Sequence, residues 1–374
     1  MESTRRGRSS VRARAALALT VALCATSLVG EASTGVTGAI TTPAAQQLGF
    51  YPGYANLIQF KALETWVGRD ANYVLQFADQ TATKFPGSVW GQVTKAGALQ
   101  TIANRVTLVE SIPLAFGNNI DASTAAGQAY ARTALQATAN GANDANYRIA
   151  AKYIRDGGYA DSIIRLGWEF DGGWYPWSAR GNEALWVTAY RHVVGVFRTI
   201  SPTFRFDWNG DPGAIQKETA AYPGDAYVDI IGLDVYDKGI PVPWSSATKS
   251  WVDPVAALNW DLTSLRFQRD FATAHGKQVS YPEWALSGVT TTVTSGVGGD
   301  NPTFVQGMND FMNALPSSGP GSLAYQAYFN EDAGDGNHRI NATYFPTAQQ
   351  RYRSAFGSTT DFIVSSNNSA PVFG

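Results

Sequence analysis

The sequence predicts an α/β protein built as one (β/α)8 TIM barrel, and three observations lead to that fold. Short apolar runs recur eight times between residues 48 and 329, and stretches with helical periodicity separate them. Strands that alternate with helices in this way are typical of a closed parallel barrel. No glycine-rich phosphate loop follows the first apolar run, which disfavours an open doubly wound sheet. No linker divides the chain, so we expect one domain.

The eight apolar runs define the expected strands in chain order. They are LGFYPG (48–53), YVLQFAD (73–79), TLVESIPLAF (107–116), IIRLGWEF (163–170), FRFDWN (204–209), VDIIGLDVY (228–236), KQVSYPEW (277–284) and SLAYQAYF (322–329). The clearest helical patterns between them cover residues 183–200 and 264–276. Gly276 stands where the second of these helices should end, because glycine is the preferred residue just after a helix C-terminus.

The N-terminus has the features of a secretory signal peptide. Five arginines precede an apolar segment at residues 15–29, and small residues follow at the cleavage spacing. The expected segments are a signal peptide at 1–32, a flexible lead-in at 33–47, the (β/α)8 domain at 48–357 and a C-terminal tail at 358–374. No later apolar run has membrane-spanning length. We therefore expect a secreted, extracellular protein without membrane contact after signal removal.

The charge composition disfavours nucleic acid as a partner. Only 16% of the residues are charged, whereas 12% are aromatic, including 11 tryptophans. Without residues 1–32 the chain has 23 basic and 28 acidic side chains, a formal charge of −5. A nucleic-acid-binding protein would have a basic face. This composition is instead typical of a protein that stacks aromatic rings on neutral ligands.

Cysteine and histidine usage argues against a metal site or a thiol nucleophile. The single cysteine, Cys24, lies inside the expected signal peptide. His192, His275 and His338 are far apart in the sequence and do not form an HExxH motif. We expect neither a metal nor a cofactor.

Two glutamates close predicted strands within aromatic surroundings. Glu169 ends the fourth strand and Glu283 the seventh, 114 residues apart. Active sites of such barrels lie at the C-terminal ends of the strands, and these two strand ends would face each other across the mouth. Cleavage of a glycosidic bond needs two facing carboxyl groups, and tryptophan rings would stack on sugar rings. The alternative is that Glu169 is a structural salt-bridge partner and that the tryptophans are core residues.

The segment RLGWEFDGGWYPW (165–177) resembles the acid/base segment of glycoside hydrolase family 26, a family of retaining (β/α)8 enzymes. The residues that match the family pattern are Arg165, Glu169, Gly172, Trp174 and Trp177. The resemblance implies that Glu169 is the acid/base. The segment is distinctive because it combines one carboxylate with closely spaced glycines and tryptophans.

Two further segments are similar to the same family. VDIIGLDVYD (228–237) resembles its sixth strand, whose tyrosine bonds to the nucleophile, and this implies that role for Tyr236. QVSYPEWAL (278–286) resembles the nucleophile strand and implies that Glu283 is the nucleophile. The resemblance covers most of residues 48–355, although only these segments are distinctive.

The sequence departs from the family pattern near the cleavage point. Trp168 replaces the histidine that commonly precedes the acid/base, and Asp171 replaces an amide or hydroxyl residue. The third strand also lacks a histidine that family members often have. An indole offers one donor and a large apolar face. These differences put β-1,4-mannan in doubt, and we predict weak or no activity on unsubstituted mannan.

Several other residues are expected at the sugar site. Arg165 should lie near Glu283 and hold it ionised, unless it forms an unrelated ion pair. Trp174 and Trp177 are candidate stacking platforms, with a core role as the alternative for one of them. Asp234 is a candidate to orient a neighbour or accept a sugar hydroxyl, against a plain structural role.

Three expectations complete the predicted site. Trp284 and Tyr328 lie near the ends of the seventh and eighth strands, and one of them should form its floor. Trp168 and Asp171 should contact the sugar at the cleavage point. If Glu169 lies among apolar groups in a partly dry site, its pKa should rise, as an acid catalyst requires.

The sequence therefore predicts a secreted, monomeric glycoside hydrolase that cleaves a polysaccharide with retention. Endo action of the β-mannanase type is the first expectation. The alternatives are a hydrolase of the same clan that acts on xylan, β-glucan or another cell-wall polymer or exopolysaccharide, or a sugar-binding barrel without catalysis. A binding module would keep the tryptophans and lose one glutamate, whereas both glutamates are present.

Overall fold

The computed structural model describes residues 47–94, 99–237, 244–245, 250–251, 259–294 and 298–357. The expected signal peptide and C-terminal tail lie outside these residues. None of the helices in the described parts combines the length and the apolar character needed to span a bilayer.

Eight parallel strands close into a barrel. They are β1 (Leu48–Tyr51), β2 (Tyr73–Phe77), β3 (Thr107–Ile112), β4 (Ile163–Leu166), β5 (Arg205–Gly210), β6 (Ile230–Leu233), β7 (Gln278–Ala285) and β8 (Leu323–Phe329). Each strand pairs with the next, and β8 pairs with both β7 and β1. A two-residue strand, Val235–Tyr236, follows β6 and also pairs with β7. The predicted (β/α)8 barrel is confirmed.

Eight α-helices are described around the strands. They are α1 (Leu57–Val67), α2 (Phe85–Val93), α3 (Ala125–Ala139), α4 (Asp144–Asp156), α5 (Glu183–Arg198), α6 (Asn259–Ala274), α7 (Pro302–Asn313) and α8 (Pro346–Phe356). Both α3 and α4 lie between β3 and β4. Gly276 follows α6 in the left-handed conformation, with a φ of +68°, as expected for a residue just beyond a helix end.

Strand alternation determines which side chains point into the barrel. Val109 on β3 and Ile163 on β4 are register partners, and both belong to a buried apolar cluster made by the strands. Two residues further along, Ser111 and Arg165 are again partners on the same face. The interior is therefore apolar near the start of these strands and polar near their ends, where Arg165 lies.

Candidate active site

Glu169 lies in a turn rather than on a strand. The prediction that it closes the fourth strand is wrong, because β4 ends at Leu166 and Gly167 turns the chain with a φ of +61°. Glu169 itself has a φ of +50°. Its backbone N–H donates to the carbonyl of Asn209 at 3.0 Å, and its carbonyl accepts from Gly172 at 2.9 Å. A left-handed conformation costs a non-glycine residue about 1–2 kcal/mol, and such strain concentrates at functional sites.

Glu283 lies on β7, and both of its carboxylate oxygens have partners. Oε1 is 2.5 Å from Nη1 of Arg165. Oε2 accepts a hydrogen bond from the hydroxyl of Tyr236 at 2.7 Å. The backbone N–H of Glu283 donates to Asp234 Oδ1 at 3.1 Å. The carboxylate is thus held in one orientation, as a nucleophile requires. The predicted proximity of Arg165 and Tyr236 to Glu283 is found in the structure.

Arg165 is fully buried and connects the elements of the site. It pairs with Asp234 as well as Glu283, and it donates to Asn209 Oδ1 from Nε at 3.0 Å and to Ser111 Oγ from Nη1 at 3.1 Å. Burial alone lowers the pKa of Arg165, but the carboxylates of Asp234 and Glu283 raise it by more. The guanidinium therefore stays charged. Its loss would leave two carboxylates uncompensated, which typically costs about 3–5 kcal/mol.

The sequence analysis missed Asn209, although this residue connects the network around Glu283 with the turn that carries Glu169. Its side-chain amide donates to Asp234 Oδ1 at 3.1 Å, and its Oδ1 accepts from Arg165. Its backbone carbonyl holds the N–H of Glu169. The sequence signal was slight: Asn209 lies near the end of the fifth strand, but it has neither a charge nor an aromatic ring to mark it.

The two glutamates lie close together at the barrel mouth. One oxygen from each of Glu169, Asp234 and Glu283 lies within 4.8 Å of the others. Retaining glycosidases place their carboxyl groups about 5–5.5 Å apart, whereas inverting enzymes leave about 6.5–9.5 Å for a water molecule. Oxygens of Glu169 and Glu283 that approach within 4.8 Å fit the retaining spacing better than the inverting one.

The same three carboxylates offer enough oxygens to bind a cation. Asp234 and Glu283, however, already face the guanidinium of Arg165, and Tyr236 and Asn209 occupy further oxygens. Because this cation compensates both acids, the donor set fits an ion-pair network better than a metal site.

A cavity of about 940 Å³ opens above these groups. Its lining residues are Tyr51, Phe77, Glu169, Trp174, Tyr175, Arg180, Asp211, Pro212, Gly213, Ala214, Lys217, Glu218, Asp234, Tyr236, Glu283, Phe329 and Asp335. The lining thus combines aromatic rings with a charged segment that follows β5. Aromatic rings with a few polar groups are typical of sugar sites.

The two candidate stacking tryptophans have different positions. Trp174 lines the cavity and is 41% exposed, and its Nε1 donates to Glu169 Oε2 at 2.9 Å. Trp177 is fully buried, and its Nε1 donates to the carbonyl of Trp168 at 2.8 Å. Trp174 is therefore accessible to a ligand, whereas Trp177 is a core residue that binds the backbone of the turn at Trp168.

The prediction that Trp284 or Tyr328 forms the floor of the sugar site is corrected by the structure. Both side chains are fully buried and lie outside the cavity lining. Trp284 stacks on Tyr352 of α8, with ring centroids 5.7 Å apart. The physical reason is strand alternation: Glu283 points to the mouth, so its neighbour Trp284 points to the helices. Phe329, one residue after Tyr328, lines the cavity instead.

Trp168 and Asp171 also lie outside the cavity lining. The ring of Trp168 packs against Phe77 and Trp177, at centroid distances of 5.6 and 4.5 Å. Asp171 is fully buried, and both its carboxylate oxygens accept from the backbone N–H of Asp211 at 3.0 Å. The prediction that Trp168 and Asp171 contact the sugar is therefore wrong. Trp168 packs behind cavity residues, and Asp171 holds the backbone of Asp211.

The sequence analysis missed several residues that line the cavity. The aromatic ones that were missed are Tyr51, Phe77, Tyr175 and Phe329, and the charged ones are Arg180, Asp211, Lys217, Glu218 and Asp335. Tyr51, Phe77 and Phe329 each occupy the last position of a strand. Their place at strand ends would have been the signal for them, since strand ends form the mouth.

Comparison with known proteins finds similarity to carbohydrate-active enzymes. The model of glycosyl hydrolase family 26 matches residues 147–269, which include Arg165, Glu169 and Tyr236. A mannan endo-1,4-beta-mannosidase of Bifidobacterium adolescentis is 24% identical over 219 residues, 57% of this chain and 21% of that protein. Endoglucanase H of Acetivibrio thermocellus is 36% identical over 92 residues, 22% of this chain and 10% of that protein. The chain thus spans about a fifth or less of these relatives.

Solved structures with the same fold include two mannanases. An endo-beta-1,4-mannanase from Cellulomonas fimi aligns with a TM-score of 0.57 and 16% identity, covering 84% of this chain and 70% of that one. The catalytic domain of a family 26 endo-beta-1,4-mannanase from Bacillus sp. JAMB-750 gives 0.54 and 16%, covering 79% and 80%. At these sequence identities the structural likeness shows only that the fold is shared. The predicted resemblance to family 26 is confirmed by the match of the family model.

Proposed function

We propose that the chain is a glycoside hydrolase of the family 26 type and that it cleaves a polysaccharide by a retaining mechanism, with Glu283 as nucleophile and Glu169 as acid/base. The observation that carries this proposal is the pair of glutamates at the barrel mouth. Their oxygens lie within 4.8 Å, and each carboxylate has different surroundings. Glu283 faces Arg165 and Tyr236, while Glu169 lies beside Trp174 at the cavity.

The first step forms a covalent intermediate. A carboxylate oxygen of Glu283 attacks the anomeric carbon, and the bond from that carbon to the glycosidic oxygen breaks. Glu169 gives its proton to the departing oxygen, so the leaving sugar is released as an alcohol. Arg165 and Tyr236 keep the Glu283 carboxylate in place through its two oxygens. Asp234 and Asn209 in turn hold Arg165.

The second step releases the product and restores both glutamates. Glu169, now ionised, takes a proton from water, and the water oxygen attacks the anomeric carbon. The bond to Glu283 breaks, and its electron pair returns to the carboxylate. Two inversions give net retention. Trp174, Tyr175 and Phe77 offer ring faces on which sugars can stack during both steps.

Endo action of the β-mannanase type is the first candidate for the substrate class. It is supported by the family match and by the mannan-cleaving activity in the name of one relative, the mannosidase of Bifidobacterium adolescentis. β-Glucan is the second candidate, because a segment of this chain is 36% identical to part of Endoglucanase H. Xylan and other cell-wall polymers or exopolysaccharides remain alternatives. A binding barrel without catalysis would not need both glutamates and the ion pair that orients one of them.

We expect hydrolysis of at least one β-linked polymer in a panel of unsubstituted mannan, galactomannan, xylan and mixed-linkage glucan, with oligosaccharide products. Unsubstituted mannan should be the poorer substrate, since Tyr175 and Phe77 form an apolar part of the cavity wall and the Trp168 indole packs edge-on against both of them from outside the lining. Reducing-end assays with product analysis measure both outcomes. Turnover on unsubstituted mannan that exceeds every other polymer would contradict the inference from Trp168, and no turnover on any polymer would contradict the proposed function.

The site of action and the assembly state belong to the same proposal. We propose that the protein is secreted and acts outside the cell, because the arginine-rich N-terminus precedes an apolar segment of signal-peptide length and the substrate is a polymer. We propose a monomer with polysaccharide or oligosaccharide as its partner.

A further inference from the structure

We propose that Asp211 binds the sugar of the leaving group and helps to select it, and that the buried carboxylate of Asp171 positions Asp211 for this contact. The inference rests on the proposed glycosidase function and extends it to the substrate side of Glu169. It also gives Asp171, which cannot reach a sugar directly, a defined role.

Asp171 fixes the start of the segment that follows β5. Both of its carboxylate oxygens accept from the N–H of Asp211 at 3.0 Å, and the side chain is fully buried. Gly210 makes this contact possible, because a Cβ there would lie 2.6 Å from Asp171 Oδ2. The carbonyl of Asp171 also accepts from Nε of Arg180 at 2.6 Å. One buried residue therefore holds two cavity residues, Asp211 and Arg180.

The side chain of Asp211 is directed at the cavity and lacks a partner for one oxygen. Asp211 lines the cavity together with Glu169. Its Oδ2 is buried and makes no hydrogen bond within the described part of the chain. The residue as a whole is only partly buried and lines the cavity, so a sugar hydroxyl can reach the carboxyl group from that side. Burial, followed by the charge of Glu169, raises the pKa of Asp211. A protonated carboxyl could both donate to and accept from a hydroxyl.

The position of Asp211 favours the leaving-group side of the cleavage point. Asp211 lies two residues after Asn209, whose carbonyl accepts from the N–H of Glu169 at 3.0 Å, and its own N–H is held by Asp171, two residues after Glu169. The segment that begins at Asp211 is thus bonded to the turn that carries Glu169. Glu169 is the residue that protonates the leaving oxygen. The segment that continues from Asp211 through Lys217 and Glu218 lines the same cavity. This charged segment thus lies where the departing sugar would sit.

The test compares two substrates that share the sugar bound by Glu283 and differ in the leaving group. One is the polymer that the wild-type enzyme hydrolyses best, and the other is the 2,4-dinitrophenyl glycoside of the matching disaccharide. Asp211→Asn and Asp211→Ala should lower kcat/KM on the polymer by about 10- to 100-fold, through the lost contact. On the dinitrophenyl glycoside the change should stay below about threefold, because no leaving sugar is present.

Asp171→Asn should show the same selective loss if it acts through Asp211. Asp225→Asn, an exposed substitution away from the cavity, is the matched control and should change neither rate. Equal losses on both substrates for the Asp211 variants, or no loss on the polymer, would overturn the inference. A wild-type enzyme inactive on every polymer and on the dinitrophenyl glycoside would contradict the glycosidase proposal itself. If Asp171→Asn does not fold, the ratio of polymer to dinitrophenyl glycoside activity in the Asp211 variants still decides whether Asp211 binds the leaving sugar.

Discussion

Glu283→Ala should abolish turnover on every substrate, with a loss of at least about 10⁴-fold in kcat, because no covalent intermediate can form without the nucleophile. The barrel should still fold, since Arg165 keeps its ion pair with Asp234 and its hydrogen bond to Asn209. Initial rates on the best polymer and thermal unfolding measure the two effects separately. Glu283→Gln is the control, because it keeps the shape of the side chain and removes the charge.

Azide distinguishes a lost nucleophile from a damaged site. In Glu283→Ala, azide has room to attack the anomeric carbon of an activated aryl glycoside directly. One inversion then gives a glycosyl azide of the opposite anomeric form. A Glu283→Ala enzyme that retains a tenth of wild-type turnover would rule out this glutamate as the nucleophile.

Glu169→Ala should behave differently, because only a proton donor and acceptor is lost. Turnover on the polymer should fall by about 10²–10⁴-fold, the usual contribution of a general acid or base. An activated aryl glycoside should suffer far less in the first step, since its leaving group departs without a proton. The second step remains slow because water has lost its base. The covalent intermediate should therefore accumulate and appear as a burst of the aryl alcohol.

Azide should accelerate the second step of Glu169→Ala, because an anion attacks without giving up a proton. The product is then a glycosyl azide with the original anomeric form, which separates this variant from Glu283→Ala. Glu169→Gln keeps an acceptor for Trp174 Nε1, so it controls for a change in the turn. The roles are reversed if azide instead gives the retained product with Glu283→Ala.

The fold and the catalytic pair could be predicted from local patterns. Each barrel strand is a short apolar run, and burial on both faces makes such runs visible in the sequence. Glu283 was found because it ends one of these runs beside an aromatic residue. Glu169 was found in the same way, at the end of the fourth apolar run, and the family resemblance added its role; its backbone, however, lies in a strained turn beyond β4. Strand periodicity does not predict such a turn.

The remaining site residues depend on contacts between distant parts of the chain. Asn209 matters because its side chain meets both Arg165 and Asp234, 44 and 25 residues away in sequence. Asp171 was assigned to the sugar because it lies two residues after Glu169, but the turn directs it beneath Asp211. Trp284 was assigned wrongly for a simpler reason: strand alternation already predicts that it faces away from Glu283.

The anomeric form of the first product tests the central claim most directly, because the claim is that Glu169 and Glu283 act as a retaining pair. Proton NMR during hydrolysis of the best substrate by the wild-type enzyme follows the newly formed reducing end before it equilibrates. The 4.8 Å limit between the glutamate oxygens predicts that this sugar first appears with the same anomeric form as the bond that was cleaved. First appearance of the opposite anomer would contradict it and would make Glu283 a base that activates water.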